Sequence, residues 1–405
     1  MDLSSPIICL LLHSLVFVSL FYCNNSLETR NPLVNQTFQS EDELLKLKET
    51  IAIRLKKLNK PAVKTIQSPD GDIIDCVLTH QQPAFDHPLL KGQKPMDPPE
   101  MPKGNNRINN FSESIQLWSL SGESCPNGTI PIRRITEQDL LRANSDSRFG
   151  KKLPVGSNDR QYALQFVEDG EFYGAQATMN VWNPQGESKS VFSLAQMWVM
   201  SGTYGKDLNT IEVGWQVHPN FYGDRRTRFF IYWTADAYQH GCYNLKCPGF
   251  VQTNKAIALG AAISPVSTYN GNQFEISLFV WKDVKTGNWW LRYGDKDLGY
   301  WPSSLFTNLK NAAARVHWGG EIFNEQYEQA SSTQMGSGHF PEEGYKKASY
   351  FNHIYVIDSK RVWVQPPKLK NYADSPNCYN VKGGVDSSWG TYFYYGGPGK
   401  NKNCP

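Results

Sequence analysis

After its first two dozen residues the sequence has no apolar run approaching the roughly 20 residues that a membrane-spanning helix needs, so no later membrane anchor is expected. Charge of one sign is also missing. A formal net charge of +3 is too slight to argue for nucleic acid or an anionic membrane as partner. Neither a G-x-S-x-G elbow, an H-E-x-x-H pair, a phosphate-binding loop nor a dinucleotide G-x-G-x-x-G is found, so the familiar hydrolase motifs are disfavoured and no cofactor is expected. A Ser/His/Asp triad assembled from scattered residues stays open, because such triads are defined by geometry. No repeat of propeller or solenoid type is present.

What is there is aromatic and rich in turn formers. Aromatic residues make up 13% of the 405, with 32 Gly and 24 Pro, a mixture that favours short strands over long helices. The length predicts two folded units with flexible connections. Residues 7–22 form an apolar run with small or polar flanks, which is read as a signal peptide over 1–23 and implies export. Its removal leaves Cys76, Cys125, Cys242, Cys247, Cys378 and Cys404, an even set suited to disulfides in an oxidising compartment. Six cysteines allow fifteen pairings. Proximity suggests Cys76 with Cys125, Cys242 with Cys247, and Cys378 with Cys404; a zinc site using His240 beside Cys242 and Cys247 is the alternative, and no metal is expected. Glycosylation sequons at Asn24, Asn35, Asn110 and Asn127 all fall in the first third, marking a solvated N-terminal unit.

Ser40 and Glu43 have capping-box spacing, and Leu44, Leu47, Ile51, Leu55 and Leu58 then recur at helical intervals before Pro61. An amphipathic helix follows from that pattern. The turn Ser68-Pro69-Asp70-Gly71 leads into Ile73, Ile74 and Val77, a small strand module. Residues 91–106, rich in proline and charge, are expected to be extended or mobile. The polar stretch 133–159 carries Arg133-Arg134 and Lys151-Lys152, two exposed-looking cleavage candidates. From about Tyr162, short strands over 173–182, 191–200, 210–217, 228–233 and 274–281 are separated by turn clusters, which argues for an antiparallel β-sandwich. The expected division is a signal peptide 1–23, an N-terminal unit 24–134, a linker 135–160 and an all-β sandwich domain 161–405.

Carboxylates inside apolar strands are the informative residues, because an ionised group there is costly unless solvated, paired or used. Along 210–217 the alternation puts Ile211, Val213, Trp215 and Val217 on one face and Glu212, Gly214 and Gln216 on the other. The bare Gly214 leaves room for a substrate or a partner backbone. A second glutamate, Glu321, follows a strand and the pair Gly319-Gly320, which permits a bulge or a close approach. Each glutamate alone is ordinarily a solvent-facing strand residue, as Glu171 and Glu275 illustrate.

The segment 211–250, IEVGWQVHPNFYGDRRTRFFIYWTADAYQHGCYNLKCPGF, resembles the plant neprosin family, as do CPNGTIPIRR at 125–134 and WGGEI at 318–322. The likeness covers nearly everything after residue 23. It implies a glutamic peptidase made as a zymogen, built on two antiparallel sheets and active in acid, with a preference for cutting after proline. By motif the family's catalytic glutamates fall on Glu212 and Glu321, and its catalytic-domain disulfides match Cys242 with Cys247 and Cys378 with Cys404. Gln216 is then a candidate oxyanion or substrate donor, and Trp215, Trp233 and Trp318 are candidate walls of a subsite for a proline ring. The expected partners are a peptide or protein substrate, with proline-rich chains among the candidates, and the protein's own pro-domain as inhibitor, in a secreted or vacuolar monomer. A glycoside hydrolase or a sugar-binding sandwich of the cell wall is the competing reading.

Overall fold

The computed structural model describes residues 41–102, 104, 115–143, 149–152, 160–188, 191–323 and 331–405. The signal-peptide run and the sequons at Asn24, Asn35 and Asn110 lie outside them. The chain divides into two compact units, residues 1–51 and 52–405. In the first, the described part is the start of the amphipathic helix Glu41–Leu58, where the Thr50 hydroxyl donates to the Lys46 carbonyl at 2.8 Å.

The second unit contains two large antiparallel sheets. Across the first, the order is Gly241–Tyr243, Arg228–Thr234, Asn209–Val217, Phe192–Ser201, Arg315–Phe323, Arg160–Val167 and Lys370–Ala373. The second is nine-stranded and centres on Glu275–Lys282, Gly174–Asn180 and Ser349–Ile357, with Trp289–Tyr293 and Lys296–Trp301 toward one edge. Strand alternation explains the layering. Ile211, Val213, Trp215, Trp233 and Trp318 from the first sheet share one buried core with Ala175, Ala177, Met179, Leu278, Val280 and Phe351 from the second. The predicted sandwich is therefore the observed fold.

A small three-stranded sheet, Ala62–Gln67, Ile73–Leu78 and Thr129–Arg133, precedes the sandwich, with the predicted turn at 68–71 closing its hairpin. Disulfides join Cys76 to Cys125, Cys242 to Cys247, and Cys378 to Cys404. His240 is paired with Asp236 and both neighbouring cysteines are bridged, so the zinc arrangement is not formed. Among the described residues no group of three His, Cys, Asp or Glu is placed to hold a metal ion, and no helix is long and apolar enough to cross a membrane.

The stretch after 133 differs from the exposed linker expected. Arg133 ends a strand and pairs with Asp72 at 2.8 Å and Asp139 at 3.3 Å, while Arg134 pairs with Asp75 at 2.5 Å. A short helix, Glu137–Arg142, follows, opened by a capping box between Thr136 and Asp139. Lys152 is buried. In each pair one member, Arg133 or Lys152, is held in ion pairs with little exposure, while Lys151 is exposed and Arg134 half-buried.

Candidate active site

Glu212 and Glu321 lie on the outer face of the seven-stranded sheet, two strands apart with Phe192–Ser201 between them, and both are fully buried. Directly opposed residues of antiparallel strands share a face. Glu212 is opposed by Trp198 and Tyr232, and Glu321 by Leu194 and Tyr162. On the strand between, Gln196 is opposed by Gly214 on one side and Gly319 on the other.

Those glycines serve the sheet itself. A Cβ on Gly214 would come within 2.0 Å of the Ala195 carbonyl oxygen, and one on Gly319 within 2.4 Å of that of Ala163. The space beside Glu212 is thus taken by a partner backbone. Pairing of Arg315–Phe323 runs through Gly319 and Gly320 without a register shift, so the close approach is realised and the bulge is not.

A cation sits between the two carboxylates. Lys152 Nζ donates to Glu212 Oε2 at 2.9 Å and to Glu321 Oε2 at 3.3 Å. Arg160, at the start of its strand, holds the other oxygen of Glu321. Gln196 Nε2 adds a donor at 3.3 Å to Glu321 Oε2, and the hydroxyls of Thr210 and Tyr238 each donate to Glu212 Oε1 at 3.0 Å. Burial pushes the Glu321 carboxyl up, but Lys152 and Arg160 together outweigh it and hold the group below the usual carboxylate range.

Lys152 is delivered by a short segment with its own anchors. Phe149 lies under Arg54 and Lys246, at 5.2 and 4.9 Å, and the Gly150 carbonyl accepts from the Tyr243 amide at 2.7 Å. Gly150 has φ +71°, and a Cβ there would press on Lys246 Cβ at 3.1 Å and on Cys247 Sγ at 3.2 Å. Only glycine passes the Cys242–Cys247 bridge in this conformation.

An aromatic and apolar rim surrounds the carboxylates, formed by Phe192, Trp198, Phe230, Tyr232, Tyr243 and Phe323 with Tyr162 and Tyr238 packed against it. The tryptophans expected to wall a subsite are elsewhere. Trp215, Trp233 and Trp318 alternate to the opposite face and fill the core between the sheets, at 0%, 5% and 0% exposed. Gln216 is buried on the Glu212 face, but its Nε2 donates to the Tyr222 hydroxyl at 2.9 Å. His218, two residues on, is pushed down to about 3 by burial and by Arg160, Lys246 and Lys152, and so stays neutral at any milder pH. Sequence reasoning missed Gln196 and Arg160 and took Lys152 for a cleavage site. Gln196 carried the same signal as Glu212, a polar group inside an apolar strand.

A two-sheet sandwich with a buried glutamate pair on one outer face, plugged by a lysine from the preceding segment, is what the fold and the site define together. Residues 189–398 match the family model of neprosin, and residues 65–178 match that of the neprosin activation peptide; the chain belongs to the neprosin family. Among solved structures it is similar to a scytalido-glutamic peptidase with a peptide-based transition state analogue, at 11% identity and TM-score 0.32 over 59% of this chain and 98% of that one. SCP-B, a member of the eqolisin family of peptidases in complex with the tripeptide Ala-Ile-His, gives 11% and 0.31 over 58% and 98%. A β-porphyranase from the human gut bacterium Bacteroides plebeius gives 8% and 0.20 over 58% and 64%.

Proposed function

We propose that this chain is the zymogen of an acid-active glutamic endopeptidase that cuts on the C-terminal side of proline, exported and glycosylated, with Glu212 and Glu321 as its catalytic pair. The observation that carries the reading is the carboxylate pair itself, fully buried, facing an aromatic rim and bridged by one lysine of the preceding segment.

With Lys152 in place, two carboxylates face two cations. Once it leaves, Arg160 alone remains, and uptake of one proton restores the balance. The pair then titrates as a unit, with one member ionised and the other protonated. Arg160 favours the ionised form on Glu321, so Glu321 is the base and the shared proton rests on Glu212. Glu321 takes a proton from a water as its oxygen bonds to the scissile carbonyl carbon. Glu212 donates a hydrogen bond to the developing oxyanion, then passes its proton to the leaving amine nitrogen as the C–N bond breaks. The Gln196 amide, already beside Glu321, is the neutral donor best placed to support that oxyanion.

Latency and release follow from the same contacts. Protonation of Glu321, which Lys152 and Arg160 hold below the ordinary carboxylate range, removes a partner of a buried lysine, and the plug loses its hold. Each disulfide closes within residues 76–125 or within residues 242–404, so a cut in 135–159 leaves no covalent tether. The three bridges suit a secreted or vacuolar setting. The test is acid treatment followed by a proline-containing peptide library and a polysaccharide panel; sugar release without peptide cleavage would overturn the reading.

A further inference from the structure

The outer face of the nine-stranded sheet is built unlike an ordinary solvent face. Trp281, Trp290 and Tyr300 are directly opposed across three adjacent strands, giving a ladder that runs on to Val251. Phe279 stacks on Trp281 at 4.7 Å and meets Trp363 at 4.5 Å, while Trp290 meets Tyr300 at 4.8 Å. Sandwich strands usually turn polar side chains outward. Here the outward residues are aromatic, and they are buried because the protein's own N-terminal unit covers them, with Ala84, Leu90 and Met101 in the same cluster.

Part of that cover is the segment 94–102, KPMDPPEMP, with prolines at 95, 98, 99 and 102. It forms no helix or turn and pairs with no strand. Side chains of the sandwich hold its backbone: the Met96 amide donates to the Tyr300 hydroxyl at 3.3 Å, and Trp363 Nε1 donates to the Pro102 carbonyl at 3.3 Å. Aromatic side chains that hold the backbone of a proline-containing chain, through a hydroxyl and an indole N–H on groups that no neighbouring strand claims, are how aromatic grooves take polyproline-type chains. One donor of the ladder stays unused, since the buried Trp281 indole N–H has no partner among the described residues.

We propose that the Trp281–Trp290–Tyr300 ladder, with Phe279 and Trp363, is a second peptide-binding surface of the processed enzyme, on the sheet opposite the glutamates. It takes extended proline-rich chains, and residues 94–102 are its resident ligand in the zymogen. The inference rests on the reading that the N-terminal unit leaves on activation. A proline-rich substrate held there is tethered to the domain and reaches the cleft at raised effective concentration.

The test uses the full chain carrying Glu212→Gln, processed by a trace of wild type and checked by native mass for loss of residues 62–134. The peptide KPMDPPEMP is titrated into it by calorimetry, beside the same peptide with its prolines changed to alanine. Saturable binding of the first is expected, weakened at least tenfold by the proline replacements and by Trp363→Ala, with Trp363→Phe intermediate and the thermal midpoint of both variants unchanged. Equal binding of the two peptides, indifference to Trp363→Ala, or Trp363-dependent binding of a cello-oligosaccharide in place of the peptide overturns the proposal. If native mass shows the N-terminal unit still bound, the release itself has failed, and this proposal with it, before any peptide is added.

Discussion

Lys152 Nζ stands 2.9 Å from Glu212 Oε2, and neither side chain reaches solvent, at 3% and 0% exposed. One residue of the segment before the sandwich thereby neutralises and covers a group assigned to catalysis. Replacing it by methionine leaves the two carboxylates with Arg160 alone. Removing one partner of a buried ion pair costs about 3 kcal/mol, so the Lys152→Met precursor is expected to unfold at lower temperature at pH 7 and to cleave peptide before processing. Thermal unfolding and hydrolysis by the unprocessed variant check both.

Acid dependence has a definite sign. The Glu321 carboxyl is held low in the folded state, so its contribution to stability is complete above the unfolded carboxylate value of about 4.3 and is lost as pH falls through the depressed folded value. Release of the plug is therefore expected in distinctly acid solution. Intact mass after incubation across pH 2–7, an interval of roughly this width about the carboxylate range, locates it; release that peaks near neutrality contradicts the sign.

A second charge cluster joins the N-terminal unit to the sandwich away from the glutamates. Asp72 pairs with Arg228 at 2.5 Å and Arg133 at 2.8 Å. Asp72→Asn leaves Arg228 with Asp224 alone among these carboxylates, and loss of a buried pair of this kind is worth about 3 kcal/mol. The midpoint of acid release is expected to move to higher pH, measured by the same mass experiment.

Lys246 lies in that cluster, where burial first, and then Arg133, Arg142 and Arg228 against the attraction of Asp139, push its amine down to about 7. Four cations thus face three carboxylates whenever it is charged. A lysine depressed in the folded state withholds stability in full below about 7, and the loss closes as pH rises toward the ordinary lysine value of 10.5. Lys246→Met is therefore expected to raise the unfolding midpoint of the precursor most at pH 5–7, with the gain shrinking at alkaline pH. A gain independent of pH would show packing as the cause.

Gln196→Ala is expected to lower kcat about a hundredfold with little change in KM, as removal of a transition-state donor does. Steady-state kinetics on processed protein, with thermal unfolding as the control for folding, decides between that and a structural role.

Much of this was legible in the sequence, and the failures have physical causes. Period-two alternation placed Glu212 opposite Ile211, Val213 and Trp215, and the turn clusters marked the strand boundaries. The same alternation already put Trp215 away from Glu212, so its place in the core follows from the pattern that located the glutamate. What pairs across strands is not written locally. Gln196 reaches Glu321 only through the register of two strands separated by more than a hundred residues. Lys152 looked like half of a basic cleavage pair because its partners lie 60 and 169 residues away.

The most direct measurement is acid-dependent cleavage of a proline-containing peptide library by the processed protein beside Glu212→Gln and Glu321→Gln. The account predicts cleavage after proline by the wild type in acid and its loss in both variants, each still folded by thermal unfolding. Full activity in either folded variant would contradict the glutamate pair as the catalytic centre.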